Sequence, residues 1–207
     1  LRTRATVQYG HVTTALIAGG GVAGAATALA LHAAGIDSVV YEAHESGGAD
    51  AGAFLTVMAN GMAALETIGA ARAVTDASYP ARAVTLDDAQ GRRHGGRPIE
   101  GPARTLTRAA LYHVLQREAV ARGIPVHHGK RLTGVSTGDG VTATFADGSH
   151  AAGRFLVGAD GIHSVTRRLL DPEAPAPRFT GQHVIYGYAP QVPAGLEPDT
   201  YHMIHGS

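Results

Sequence analysis

The sequence contains no cysteine and no tryptophan. Without cysteine there is no disulfide, no thiolate nucleophile and no cysteine-held metal. Lysine is nearly absent: Lys130 is the sole one among 17 basic residues, and the rest are arginine, a bias we assign to coding preference. Neither sign of charge is in excess, with 17 basic against 17 acidic residues and a formal net charge of +0. A nucleic acid or an anionic membrane is therefore not an expected partner. No apolar run approaches the roughly 18 residues of a membrane-spanning helix, because glycines break the stretch from Leu16 to Leu31. Leu1 to His11 are polar and basic and lack the apolar segment of a signal peptide. They read as an extension ahead of the first strand, with Val12 a candidate start if the gene uses a GTG codon, and the expected location is cytoplasmic. The 12 histidines have no metal-ligand spacing. His127 and His128 would face opposite sides of a strand, and His202 and His205 read as an unpatterned tail.

What is present is a core. The 207 residues are 44% hydrophobic, enough for one sizeable domain or one domain and part of another. Thr13–Ala18 is a short apolar run ending in glycines, as a buried parallel strand requires. Val22–Ala34 predicts a helix stopped by Gly35, and Ser38–Tyr41 a second strand. Asn60 is the expected cap of a helix to about Ile68, with Gly69 as its stop. A hairpin is expected across Asp87-Asp88-Ala89-Gln90. The spacing of Leu111, Leu115 and Ala119 predicts a helix over Leu106–Arg122, ended by Gly123. Strands are expected at Val126–His128, at Val141–Phe145 with a turn at Asp147-Gly148, and at Arg154–Ala159. A helix from about Ser164 to Leu170 follows. Asp171–Pro177, with three prolines, reads as a domain crossing, and His183–Ala189 restarts a β pattern.

Two segments carry chemistry. Gly19-x-Gly21-x-x-Gly24 lies between a predicted strand and a predicted helix. Gly19 permits the tight turn, Gly21 lets a pyrophosphate approach the backbone, and Gly24 lets helix and strand pack closely. The helix N-terminus offers free N–H groups to the phosphates. Glu42 ends the second strand 23 residues after Gly19. A carboxylate there accepts hydrogen bonds from ribose hydroxyls and repels a 2′-phosphate. This unit alone suits either NAD or FAD. The second segment is Gly158-Ala159-Asp160-Gly161-Ile162-His163-Ser164-Val165-Thr166-Arg167, between a strand and a helix.

With that segment the chain resembles the FAD-dependent aromatic-hydroxylase family, the single-component flavoprotein monooxygenases similar to p-hydroxybenzoate hydroxylase. The family's GADGxxSxxR segment is matched at Gly158, Asp160, Gly161, Ser164 and Arg167. Gly52-Ala53-Phe54-Leu55, Asn60-Gly61 and Leu65 resemble the stretch passing under the flavin. Arg108, with Leu111 and Leu115, resembles the RxxLxxxL arginine that contacts FAD, and Phe179-Thr180-Gly181-Gln182 the entry to the substrate-domain sheet. The likeness spans about residues 13–207.

The resemblance implies an α/β fold: a Rossmann-like FAD-binding domain with a parallel sheet, over 12–75 and 105–176, and part of a β-rich substrate domain, over 76–104 and 177–207. It implies FAD as cofactor, NAD(P)H as reductant, and transfer of one oxygen of O2 to an aromatic or polyketide-like small molecule. Cofactor-binding residues would be Gly19, Gly21, Gly24, Glu42, Arg108, Asp160 and Gly161, with no catalytic side chain named. The family's third flavin motif, a GDAAH-like segment, has no counterpart after Leu170, so the sequence reads as truncated. Asp50 stands where several members carry an arginine, and the Gly47-Gly48-Ala49 run departs from the GGR of amine oxidases. A non-catalytic nucleotide-binding fragment and an NAD-dependent dehydrogenase are the alternatives.

Overall fold

The computed structural model describes residues 14–45, 53–183, 185–187, 191 and 194–206. The expectations for residues 1–13, Gly47-Gly48, Asp50 and Gly52 lie outside them. In chain order the elements are β1 (Ala15–Ala18), α1 (Val22–Ala33), β2 (Ser38–Tyr41), β3 (Phe54–Val57), α2 (Ala59–Thr67), α3 (Ala71–Asp76), β4 (Tyr79–Pro80), β5 (Ala83–Asp88), β6 (Arg93–Pro98) and β7 (Arg104–Thr107). They continue with α4 (Arg108–Ala121), β8 (Val126–His127), β9 (Leu132–Thr137), β10 (Val141–Phe145), β11 (His150–Gly153), β12 (Phe155–Gly158), α5 (Val165–Leu170) and β13 (Thr200–His205). This is the expected α/β class with a parallel sheet. No helix among the described residues is long and apolar enough to cross a membrane.

Two compact units divide the chain. The first joins Tyr112–Gln182 to the described part of Leu1–Asp50, and the second joins His183–Ser207 to Ala51–Leu111, again over their described residues. The helix α4 runs across that boundary. The functional division expected from the sequence draws its lines elsewhere, assigning β3, α2, α3 and β7 to the nucleotide side.

In the first unit β12, β1, β2 and β8 form a parallel sheet in that order. Every residue of β1 and β2 is buried, because both faces are covered. The helix α1 packs on β1 and β2, through a small-residue face in which Gly24, Ala25, Ala28 and Leu29 are buried. On the other face Leu16, Ala18, Val39 and Tyr41 pack against Leu132, Val141, Ala143, Phe145 and Ala151 of the antiparallel sheet β9–β10–β11. The Tyr41 and Phe145 rings meet at 4.7 Å between centroids. Lys130, ahead of β9, bonds Asp147 of the β10–β11 turn at 2.6 Å, and that ammonium, first among several donors, holds the Asp147 carboxyl well below the usual range.

The second unit holds two three-stranded sheets, β13–β5–β6 and β3–β7–β4. Several expectations are corrected there. Asn60 does not cap α2: it lies inside the helix, whose cap residue is Met58, with no side-chain bond. The predicted helix from Leu106 starts at Arg108, because Arg104–Thr107 pairs with β3 as a strand and Thr107 Oγ1 accepts the Ala110 N–H instead. The hairpin is real, but Asp87 and Asp88 belong to β5, and the Asp88 carboxylate holds the Gln90 and Arg92 N–H groups of the turn. His183 and 185–187 form no strand. The supposed tail does: β13 pairs in parallel with β5, and His202 Nδ1 lies 3.1 Å from Thr85 Oγ1.

Candidate dinucleotide site

Three parallel strands end at one level in the first unit. Ala18 stands in register with Tyr41 on one side and with Gly158 on the other. The next residues, Gly19, Glu42 and Ala159, therefore leave the sheet together at its carboxyl edge. The chain continues from β1 through α1 to β2 on one side, whereas β12 flanks β1 on the other. Such a switch point is where open α/β sheets bind ligands.

Backbone contacts lock this edge. The Gly19 N–H donates to Tyr41 O at 2.8 Å, and the Ala159 N–H to Ala18 O at 2.7 Å. Gly19 has φ +102°, and a Cβ there would lie 2.4 Å from the Ala159 carbonyl oxygen. A Cβ on Gly24 would lie 1.8 Å from the Gly19 carbonyl oxygen. Both positions thus demand glycine for the fold itself. Gly21 differs: a Cβ there would meet no described atom within 4 Å. Gly21 is the cap residue of α1 and has no side chain with which to cap it, and the helix's first turn holds no acidic residue. Open backbone before an uncapped helix N-terminus fits a diphosphate.

Glu42 is buried, at 7% exposure. Its Oε2 accepts the Gly20 N–H at 2.7 Å and its Oε1 the His44 N–H at 2.8 Å. Each oxygen keeps a lone pair for a ribose hydroxyl.

Asp160 follows β12 and organises α5. Its Oδ1 accepts the Ser164 hydroxyl at 2.5 Å. Its Oδ2 accepts the Val165 N–H at 2.8 Å, the Thr166 N–H at 2.9 Å and the Thr166 hydroxyl at 3.1 Å. Burial works to raise the Asp160 pKa, but the Ser164 and Thr166 hydrogen bonds outweigh it and leave the carboxyl below its ordinary value. Ser164 is the cap residue, its Oγ accepting the Arg167 N–H at 2.9 Å. Ser164→Ala should therefore lower stability by about 1 kcal/mol, read in a urea melt. Gly161 takes φ +77° in this turn. Arg167 donates to Ile162 O at 3.1 Å.

The structure brings Gly19, Gly21, Gly24, Glu42, Asp160 and Gly161 into one unit. Arg108 falls in the other, exposed at the start of α4, its N–H donating to Ala53 O at 2.9 Å. Phe54, Leu55, Asn60, Gly61 and Leu65 lie with it on β3 and α2. Sequence reasoning missed Gln116, whose Nε2 donates to Gly20 O at 3.1 Å and to the Tyr112 hydroxyl at 2.7 Å. Its only signal was the four-residue spacing of Tyr112 and Gln116 on one helix face.

The family model described as FAD binding domain matches residues 12–194. The chain belongs to this family. Among curated relatives, it is 34% identical to 3-amino-4-hydroxybenzoate 2-monooxygenase PtmB3 of Streptomyces platensis over 179 residues, 83% of this chain and 44% of that protein. It is 33% identical to the FAD-dependent urate hydroxylase of Klebsiella oxytoca over 181 residues, 81% of this chain and 45% of that protein. Klebsiella pneumoniae HpxO, solved with FAD and uric acid, matches with a TM-score of 0.66 at 30% identity, over 75% of this chain and 41% of that one. The chain thus spans less than half the length of each of these three proteins.

Proposed function

We propose that this chain supplies the dinucleotide-binding part of a flavin-dependent monooxygenase, which uses NAD(P)H and O2 to hydroxylate an aromatic or polyketide-like small molecule. The observation that carries the reading is the meeting of three strand ends: the Gly19–Gly24 turn, Glu42 and the Ala159–Gly161 turn share one sheet edge. In this reading Gly19 and Gly24 hold the turn closed, and Gly21 leaves room for the diphosphate beside the α1 N-terminus. Glu42 binds the adenosine ribose and disfavours a 2′-phosphate. Asp160 and Gly161 border the path toward the flavin, and Arg108 is a further FAD-contacting residue by its likeness to the RxxLxxxL arginine. The FAD-binding domain comprises 12–75 and 105–176, and 76–104 with 177–207 belong to the substrate domain. FAD, when bound, supplies the redox and oxygen chemistry. The chain's own residues bind it and orient it. The protein works in the cytoplasm.

The test is an absorbance spectrum of the purified chain after FAD addition and gel filtration. Flavin bands co-eluting near one-to-one are expected, with hydroxylase activity in a longer gene product. A chain that retains NAD and never flavin would overturn the reading in favour of a dehydrogenase. Flavin retention with no NAD(P)H oxidation by any longer product would leave a non-catalytic binding module.

A further inference from the structure

Gly20 is held from two sides by side chains of different elements. Glu42, after β2, accepts its N–H. Gln116, in the middle of α4, donates to its carbonyl and also to the Tyr112 hydroxyl. A carbonyl oxygen only accepts, so the Gln116 side chain must present its NH2 group there. The Tyr112 oxygen takes a second proton of that group, which fixes the amide plane.

A planar trans peptide ties one residue's carbonyl to the next residue's N–H, and the two point in opposite directions. No described peptide is cis. Fixing the Gly20 carbonyl therefore fixes the Gly21 N–H, aimed away from Gln116. Gly21 is the residue with open space at its Cα. By the same logic Glu42 sets the Gly19–Gly20 peptide and turns the Gly19 carbonyl toward Gly24, where a Cβ would collide with it. The turn thus has two peptide planes, each set by one distant side chain.

We infer that Gln116 is a positioning residue for the diphosphate: it aims the Gly21 N–H at the phosphate oxygens of the bound dinucleotide. The inference rests on the FAD reading above, and Gln116 itself touches no phosphate. In Gln116→Met the side chain keeps its length and loses its donors. The Gly20 carbonyl is then free to rotate, and the Gly21 donor loses its direction.

The experiment measures FAD, ADP and 2′-deoxy-ADP binding to the full chain by calorimetry, for wild type, Q116M and Q116E. Thermal melts and the Gly20 carbonyl 13C shift accompany it. Loss of one aimed hydrogen bond predicts about five- to tenfold weaker FAD and ADP binding in Q116M. The preference for ADP over 2′-deoxy-ADP should be unchanged, because Glu42 still holds the ribose. Q116E, which puts an acceptor against the carbonyl, should bind more weakly still. The carbonyl shift should move in both variants. Equal ADP affinity in wild type and Q116M, or a ribose preference that falls together with affinity and melting temperature, would overturn the inference, since the latter is general loosening. A wild-type chain that binds neither FAD nor ADP would instead sink the cofactor reading, whatever the carbonyl shift reports about the Gln116 contact.

Discussion

Gly24→Ala is expected to abolish FAD uptake and to lower the melting temperature by roughly 6–12 °C. The added methyl would stand 1.8 Å from the Gly19 carbonyl oxygen. That oxygen cannot retreat. Gly19 is tied through its N–H to Tyr41 and is walled by the Ala159 carbonyl on its other side. The helix α1 must move away from β1 instead, and its small-residue face leaves the sheet. Overpacking of this kind costs about 3 kcal/mol or more when backbone is the obstacle. Gly21→Ala is the informative contrast. Its φ of −65° suits alanine, and the methyl meets no described atom, so stability should stay within about 0.5 kcal/mol of wild type. FAD affinity should still fall, because the methyl takes the space assigned to the diphosphate. Thermal melts with and without FAD separate the two cases. A G24A chain that melts with wild type would contradict the packing argument, and a G21A chain with unchanged FAD affinity would move the diphosphate elsewhere.

The contrast explains why some of this fold was legible in the sequence. Ser38–Tyr41 was readable as a strand because all four residues are buried, which favours the β-rich Val39-Val40-Tyr41 run that follows Ser38. Val22–Ala33 was readable because close packing on β1 requires glycine and alanine. The helix stops at Gly35, Gly69 and Gly123 were readable because each takes a positive φ. Thr200–His205 carried no such mark. Its last three residues are exposed, and its partner β5 lies more than a hundred positions earlier, so its two histidines looked like tail. Arg104–Thr107 was absorbed into the helix it precedes, since periodicity cannot mark where a strand hands over to α4. Asn60 misled because a capping residue type two positions past the true cap, Met58, is indistinguishable, in sequence, from a cap.

The site divides along the same line. Gly19, Gly24 and Glu42 were legible because backbone sterics and strand spacing dictate them. The carbonyl side of the turn was not: Gln116 reaches Gly20 across 96 positions, and nothing local to either residue announces the contact. Asp160 was legible as part of a motif, yet the structure gives it a structural duty the motif alone does not specify.

That duty makes Asp160→Asn the second large effect. The carboxylate accepts two backbone N–H groups and two hydroxyls at the start of α5, a helix of six residues too short to persist without its cap. An amide offers one acceptor oxygen and presents NH2 to a donor. The loss should be about 2 kcal/mol, toward the low end for charge-assisted bonds because the group is partly solvated, and the melting temperature should fall roughly 4–8 °C. Because the folded pKa lies below the ordinary value of an aspartate, the carboxylate's contribution is present above the unfolded pKa and fades as pH falls through the folded one. The melting difference between wild type and D160N should therefore be constant from about pH 7 to pH 5 and shrink below about pH 4. A difference that grew on acidification would contradict the lowered pKa. FAD binding then separates capping from ligand contact. If Asp160 only caps, S164A and D160N lose FAD affinity in proportion to lost stability. A further loss in D160N alone would assign its carboxylate to the flavin side of the site.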